Sequence, residues 1–132
     1  MSNLLLLDTN ALIALSAPGH PLFQWIEAAL RVGGQAFTCS VAWHEYVRGP
    51  LEKRDQQRAL RIIKQRIEPL GREAAEIAAV LFNATGRCRG STADCLIAAV
   101  TLCKNAQLVT WNTDDFRVFV PHGLKLAEMD KF

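Results

Sequence analysis

Carboxylates stand at four places in this 132-residue chain where a short apolar run gives way to polar or helix-forming sequence. Asp8 follows the run Leu4, Leu5, Leu6, Leu7; Glu45 lies shortly after the stretch 36–39; Asp94 opens an Ala- and Leu-rich segment; Asn112, Asp114 and Asp115 follow the stretch 107–110. If the apolar runs are strands and the segments after them helices, each of these acids lies near a strand's carboxyl end or on a helix's opening turns. Open α/β sheets place ligand sites at those strand ends. Carboxylates gathered there without matching arginines repel, each raising the pKa of the others. A hard divalent cation relieves that repulsion, and an oxygen-only donor set suits Mg²⁺ or Mn²⁺. Every one of these residues also has a plain structural use. Asp8 and Asn112 are good helix caps, Ser91 to Asp94 fits a capping-box-like pattern, and Glu45 suits the wet face of an amphipathic helix.

The elements that must position these residues can be read from periodicity. The run of four leucines at 4–7 is short and continuous, as in a central strand buried on both faces. A helix starts at once over 11–15 and stops at Pro18 and Gly19. A second helix is expected over 21–32, with Phe23, Ile26, Ala29 and Leu30 on one face and Gly33-Gly34 as its stop. Residues 36–39 read as a strand, with Ser40 as N-cap of the helix carrying Trp43, Glu45 and Val47, which Gly49 and Pro50 break. An amphipathic helix is expected over 55–67, with Ala59, Leu60, Ile63 and Ile67 inward and Arg54, Arg58 and Arg61 outward. A short edge strand at 68–70 precedes a helix over 72–85 that contributes Ile77, Val80 and Leu81. The most apolar helix, 91–104, is expected at the centre; a strand at 107–110, a turn or short helix at 112–116 and a last strand at 124–126 complete the chain. Short strands alternating with helices imply a mostly parallel sheet covered on both faces.

Composition agrees with one folded domain. Half the residues are hydrophobic and 21% are charged. No apolar stretch is long enough for a membrane span, and the leucine run is too short for a signal peptide. Cys39, Cys88, Cys95 and Cys103 show no CxxC pairing and indicate no zinc site; Cys95 and Cys103, inside an Ala- and Leu-rich segment, read as small core residues in a reducing cytoplasm. The net charge of +2 says little, but Arg48, Lys53, Arg54, Arg58, Arg61, Lys64, Arg66 and Arg72 crowd one region, and Arg87 and Arg89 form a second cluster. Such clusters attract phosphate, or else serve as solvated helix faces.

Taken together, Asp8-Thr9-Asn10 after a strand, Ser40 to Glu45 with Arg48 and Gly49, Asp94 to Ala99, and Thr110 to Phe116 stand in the order found in PIN-domain ribonucleases. The chain most resembles the VapC-type toxins of bacterial and archaeal toxin–antitoxin pairs, from about Leu5 to Phe119. Each motif alone is loose; the ordered set is fairly specific. The resemblance implies an α/β, PIN-like three-layer sandwich, with a mostly parallel, short-stranded sheet between helices, as a single domain over 1–132. It implies an acidic triad of Asp8, Glu45 and Asp94, with Asp115 as the fourth acid and Asp114 and Asn112 as further candidates. Thr9 and Asn10 would support Asp8, whereas His44 points about 100° away from Glu45 on a helix and is read as structural or surface.

The implied activity is Mg²⁺- or Mn²⁺-dependent endoribonucleolytic hydrolysis of RNA phosphodiesters by one or two metal ions. Asp8 and Asp94 would be the principal ligands, while Glu45 and Asp115 would bind a second ion, orient water or accept its proton. Arg48, Arg58, Arg61, Arg87 and Arg89 are candidates to hold the RNA backbone. The resemblance further implies a small antitoxin partner, a homodimer, a cytoplasmic location and no membrane contact. Other readings fit less well. A haloacid-dehalogenase-like phosphatase needs a second Asp where Asn10 stands, and a receiver domain needs a lysine where Trp111 follows Thr110. The better rival is a catalytically silent PIN-like module that binds RNA or protein.

Overall fold

The computed structural model describes residues 3–86 and 92–129. The expected helix cap at Ser91 and the Arg87 and Arg89 pair lie outside the described residues. Five strands build one sheet: β1 (Leu4–Leu7), β2 (Gln35–Cys39), β3 (Ile67–Glu68), β4 (Gln107–Val109) and β5 (Lys125–Leu126). All neighbouring pairs are parallel and the order is β3-β2-β1-β4-β5. The leucine run is indeed central. Leu5, Leu6 and Leu7 are all buried, and because successive strand residues face opposite ways, both faces of β1 are covered.

Seven α-helices occur among the described residues: α1 (Thr9–Ala14), α2 (Pro21–Arg31), α3 (Ser40–Val47), α4 (Lys53–Ile62), α5 (Arg72–Ala84), α6 (Thr92–Cys103) and α7 (Thr113–Phe116), with a 3₁₀ turn at Arg117–His122. The apolar α6 packs against α5 and α3, burying Cys95, Ile97, Ala98, Ala99, Val100 and Thr101. Helix α2 ends as its sequence asks. Gly33 has φ +98°, its N–H reaches Leu30 and that of Gly34 reaches Ala29, a Schellman closure. Gly34 has a second reason to be glycine, since a Cβ there would stand 2.7 Å from the Ala29 carbonyl oxygen.

The structure corrects several local expectations. Helix α4 begins at Lys53 and ends at Ile62, not at Ile67. Its stop is also a Schellman closure, with the Lys64 N–H on Arg61 and the Gln65 N–H on Leu60, but it uses two non-glycine residues at φ +52° and +59°. Nothing in the local sequence marks such a stop, and Ile67 thereby moves into the edge strand β3. Ser40 is the first residue of α3 rather than its cap, and its hydroxyl accepts the Leu70 N–H at 3.1 Å. Val80 is 65% exposed, so α5 buries Ala74, Ala78 and Leu81 instead. Leu124 is buried just ahead of β5 rather than within it.

Candidate active site

The order β3-β2-β1-β4-β5 places a change of winding direction between β1 and β4, where parallel sheets open a crevice at the strands' carboxyl ends. Leu7 pairs with Val109, so the next residues out, Asp8 and Thr110, flank that crevice. The Asp8 N–H donates to the Val109 carbonyl at 3.0 Å, carrying the β1–β4 ladder one step past the strand and fixing the acid's backbone.

Asp8 is 5% exposed. It occupies the N-cap position of α1, yet its side chain makes no cap hydrogen bond. Its Oδ2 instead accepts the Thr110 hydroxyl at 2.8 Å. Burial pushes its pKa up from the ordinary 3.8 to about 6, the Thr9 amide and Thr110 hydroxyl pull it down, and the nearby Asp94 and Glu45 charges raise it further. Those couplings show that three sequence-expected acids share one region, brought there from the end of β1, the body of α3 and the first turn of α6.

The surrounding polar groups are interlocked. Thr9 donates its hydroxyl to Glu45 Oε1 at 2.8 Å, linking α1 to α3. Arg48 stands 3.9 Å from the other Glu45 oxygen, one turn along α3. Asn10 donates from Nδ2 to the Thr110 hydroxyl at 3.4 Å and accepts the Trp111 N–H on Oδ1 at 2.9 Å. The Asn112 N–H also reaches the Thr110 hydroxyl, at 3.1 Å. The Thr9 hydroxyl thus holds Glu45 rather than Asp8, Asn10 reaches Asp8 only through Thr110, and Asn112 contributes through its backbone.

Thr110 is the residue that reading the sequence for acids passes over. It is 1% exposed and joins Asp8, Asn10 and Asn112. A hydroxyl-bearing residue directly after a strand parallel to the one that ends in Asp8 is the signal that would have found it. Cys39, at the end of β2, is a second neighbour, and its buried thiol is pushed above its usual pKa, partly by the Asp8 charge. At neutral pH it is therefore an uncharged wall beside the acids.

Other expected residues stay at the rim. Asp115 is exposed on the first turn of α7. Asp114 is also exposed and pairs with Arg117 at 3.0 Å. Arg58 and Arg61 project from α4 into solvent, as does His44 from α3. Among the described residues, no three His, Cys, Asp or Glu side chains are drawn together as a finished metal cage. Glu45 and Asp8 each accept a neighbouring hydroxyl, from Thr9 and Thr110. In donor chemistry the set nevertheless suits a hard cation, because it is all oxygen and its most buried carboxylate ionises against two neighbouring negative charges. Beside the acids a cleft of about 610 Å³ runs from Thr110 and Trp111 past Arg117 to Leu126 and Met129.

The PIN-domain family pattern matches residues 5–119. No curated protein sequence matches the chain. Among solved structures, the crystal structure of FitAcB from Neisseria gonorrhoeae is 19% identical, covers 97% of this chain and 99% of that one, and has a TM-score of 0.72. A toxin–antitoxin complex from Klebsiella pneumoniae is 26% identical over 85% of this chain and 89% of that one, with a TM-score of 0.67. VapBC2 from Rickettsia felis, bound to a promoter DNA fragment, is 18% identical over 94% and 97%, with a TM-score of 0.68. With the family pattern spanning nearly all the described residues and the sheet order and helices in agreement with these structures, the chain belongs to the PIN-domain family.

Proposed function

We propose that this chain, as a single domain over 1–132, is a Mg²⁺- or Mn²⁺-dependent endoribonuclease and the toxin of a toxin–antitoxin pair. The PIN-domain family is nuclease-type. The observation that carries the reading here is Asp8, buried at the end of the central strand with its pKa raised and with Asp94 and Glu45 as charged neighbours. A buried acid kept beside two others costs stability, and such cost concentrates at functional sites.

Asp8 and Asp94 would hold the cation, with Glu45 and Asp115 as further oxygen donors. A bound divalent ion supplies Lewis-acid stabilisation of phosphate charge and makes water a competent nucleophile near neutral pH. Thr110 and the Asp8 backbone fix which way the Asp8 carboxylate faces. Thr9 holds Glu45 by one oxygen and leaves the other near Arg48, so Glu45 can orient a water or take its proton without losing its position. The Asp115 carboxylate on exposed α7 is free of such a tether in its role as fourth acid. Arg48, Arg58 and Arg61, all exposed, would serve as phosphate contacts in this reading, together with Arg87 and Arg89.

The fold neighbours are toxin–antitoxin complexes, which supports a small antitoxin as partner; a homodimer and a cytoplasmic location complete the proposal. No described helix is long and apolar enough to cross a membrane. The decisive experiment incubates purified protein with RNA in Mg²⁺, in chelator, and as Asp8→Asn. Cleavage confined to the wild type in metal is expected. Cleavage that persists in chelator or in the variant would sink the mechanism, and silence in all three would leave a binding module.

A further inference from the structure

Trp111 is 53% exposed, in contrast to the half-buried Trp25 and Trp43. An indole left in water at the mouth of a polar site needs a reason, because its burial is worth more than that of almost any other side chain. Its placement is tightly fixed. The Trp111 backbone N–H is held by Asn10 Oδ1 at 2.9 Å, and the preceding residue is Thr110, whose hydroxyl touches Asp8. The ring meets His20 edge-on, with centroids 4.8 Å apart and planes at 72°. His20 is itself anchored, its Nδ1 accepting the Leu22 N–H at 3.0 Å as the cap of α2. A T-shaped neighbour steadies the indole without sandwiching it. Trp111 also lines the cleft of about 610 Å³, which it shares with Thr113, Arg117 and Met129. That is room for a nucleotide-sized group.

We infer that Trp111, braced by His20, is a stacking platform for one unpaired base of single-stranded RNA, beside the phosphate that the acidic residues address. The polymer's identity rests on the ribonuclease reading above; the platform rests on the exposed ring and its anchoring. Unpaired bases offer a free π-face and stack on aromatic rings with little sequence preference, whereas a duplex hides those faces. Arg117 stands in the same cleft, in an exposed pair with Asp114. Exposed pairs of this kind contribute little, so the guanidinium exchanges Asp114 for a neighbouring phosphate at small cost. The site then selects for unpaired RNA at the base next to the cut.

The test uses the full chain carrying Asp8→Asn, so that RNA persists, and measures anisotropy of a labelled single-stranded oligoribonucleotide in Mg²⁺. Trp111→Ala added to that background should weaken binding about 5- to 150-fold, as loss of one stacked base does. Trp111→Phe should restore most of it, and thermal unfolding should move little in either variant. Removing one base of the oligomer at the stacked position should abolish the sensitivity to Trp111→Ala. Equal affinity with and without Trp111, no RNA binding by the parent, or an undiminished effect in every abasic oligomer would overturn the platform. Equal Trp111 dependence with a DNA oligomer or a duplex would overturn single-stranded RNA as its occupant. Failure of the ribonuclease reading is separate: a wild type that never cleaves yet binds RNA through Trp111 defeats that reading and leaves the platform standing.

Discussion

Replacing Asp8 by Asn should stabilise the metal-free protein at neutral pH. The folded chain holds this carboxyl near pKa 6 against an ordinary 3.8. At 1.36 kcal/mol per pKa unit, ionising it in place costs roughly 3 kcal/mol relative to the unfolded chain. Asn carries no charge, and its side-chain oxygen can still accept the Thr110 hydroxyl, so about 1–3 kcal/mol should be recovered. For a domain of this size that is a rise in Tm of about 5–10 °C. Because the folded pKa is raised, the acid imposes no penalty below about pH 3.8, where it is protonated in both states. The penalty grows between about pH 3.8 and 6, as the unfolded chain ionises ahead of the folded one, and is complete above about 7. Thermal unfolding of both proteins in chelator, from pH 4 to 8, should therefore give curves that meet at the acid end and diverge upward. Mg²⁺ should then raise the wild type by RT ln(1 + [L]/Kd) and the variant much less. A variant less stable at pH 8, or a difference that ignores pH, would refute the strained-carboxylate account.

Asp94→Asn should lower RNA cleavage at least about 100-fold, roughly 3 kcal/mol of barrier, measured as initial rates in Mg²⁺. Thr110→Val should cost about 1–3 kcal/mol in a denaturant titration, since it strips a buried carboxylate of its donor and two donors of their acceptor. The same change removes a hydrogen bond that lowers the Asp8 pKa, so the acid limb of the pH–rate profile should move to higher pH. Gly34→Ala should destabilise by about 1–3 kcal/mol in thermal unfolding, because the new Cβ meets the Ala29 carbonyl oxygen at 2.7 Å.

What the sequence made legible follows from how local each signal is. The leucine run and the apolar α6 announce themselves by composition, and both are central. Gly33-Gly34 marks a stop because glycine is the residue that closure favours, whereas Lys64 and Gln65 make the same closure in residues that carry no such mark. Asp8, Glu45 and Asp94 were legible as acids following strands or opening helices, and their mutual coupling follows from parallel topology. Thr110 was not, because its role depends on a register, Leu7 beside Val109, that links residues about a hundred positions apart. Val80 failed for a related reason: α5 packs through Ala74, Ala78 and Leu81 against α6, and a valine two positions after Ala78 falls on the opposite face of the helix.

The Thr110 hydroxyl has one proton to give and two lone pairs to share, and all three are spoken for: the proton goes to Asp8 Oδ2, and the lone pairs face Asn10 Nδ2 and the Asn112 N–H. The bond to Asp8 is consequently one-way, since reversing it would evict a donor already seated. When Asp8 takes up a proton near pH 6, Oδ1, which Thr110 does not occupy, is the readier seat for it. A cation on the same carboxylate therefore meets two unequal oxygens, Oδ2 already accepting the Thr110 proton and Oδ1 not, and the saturated hydroxyl is what keeps them unequal.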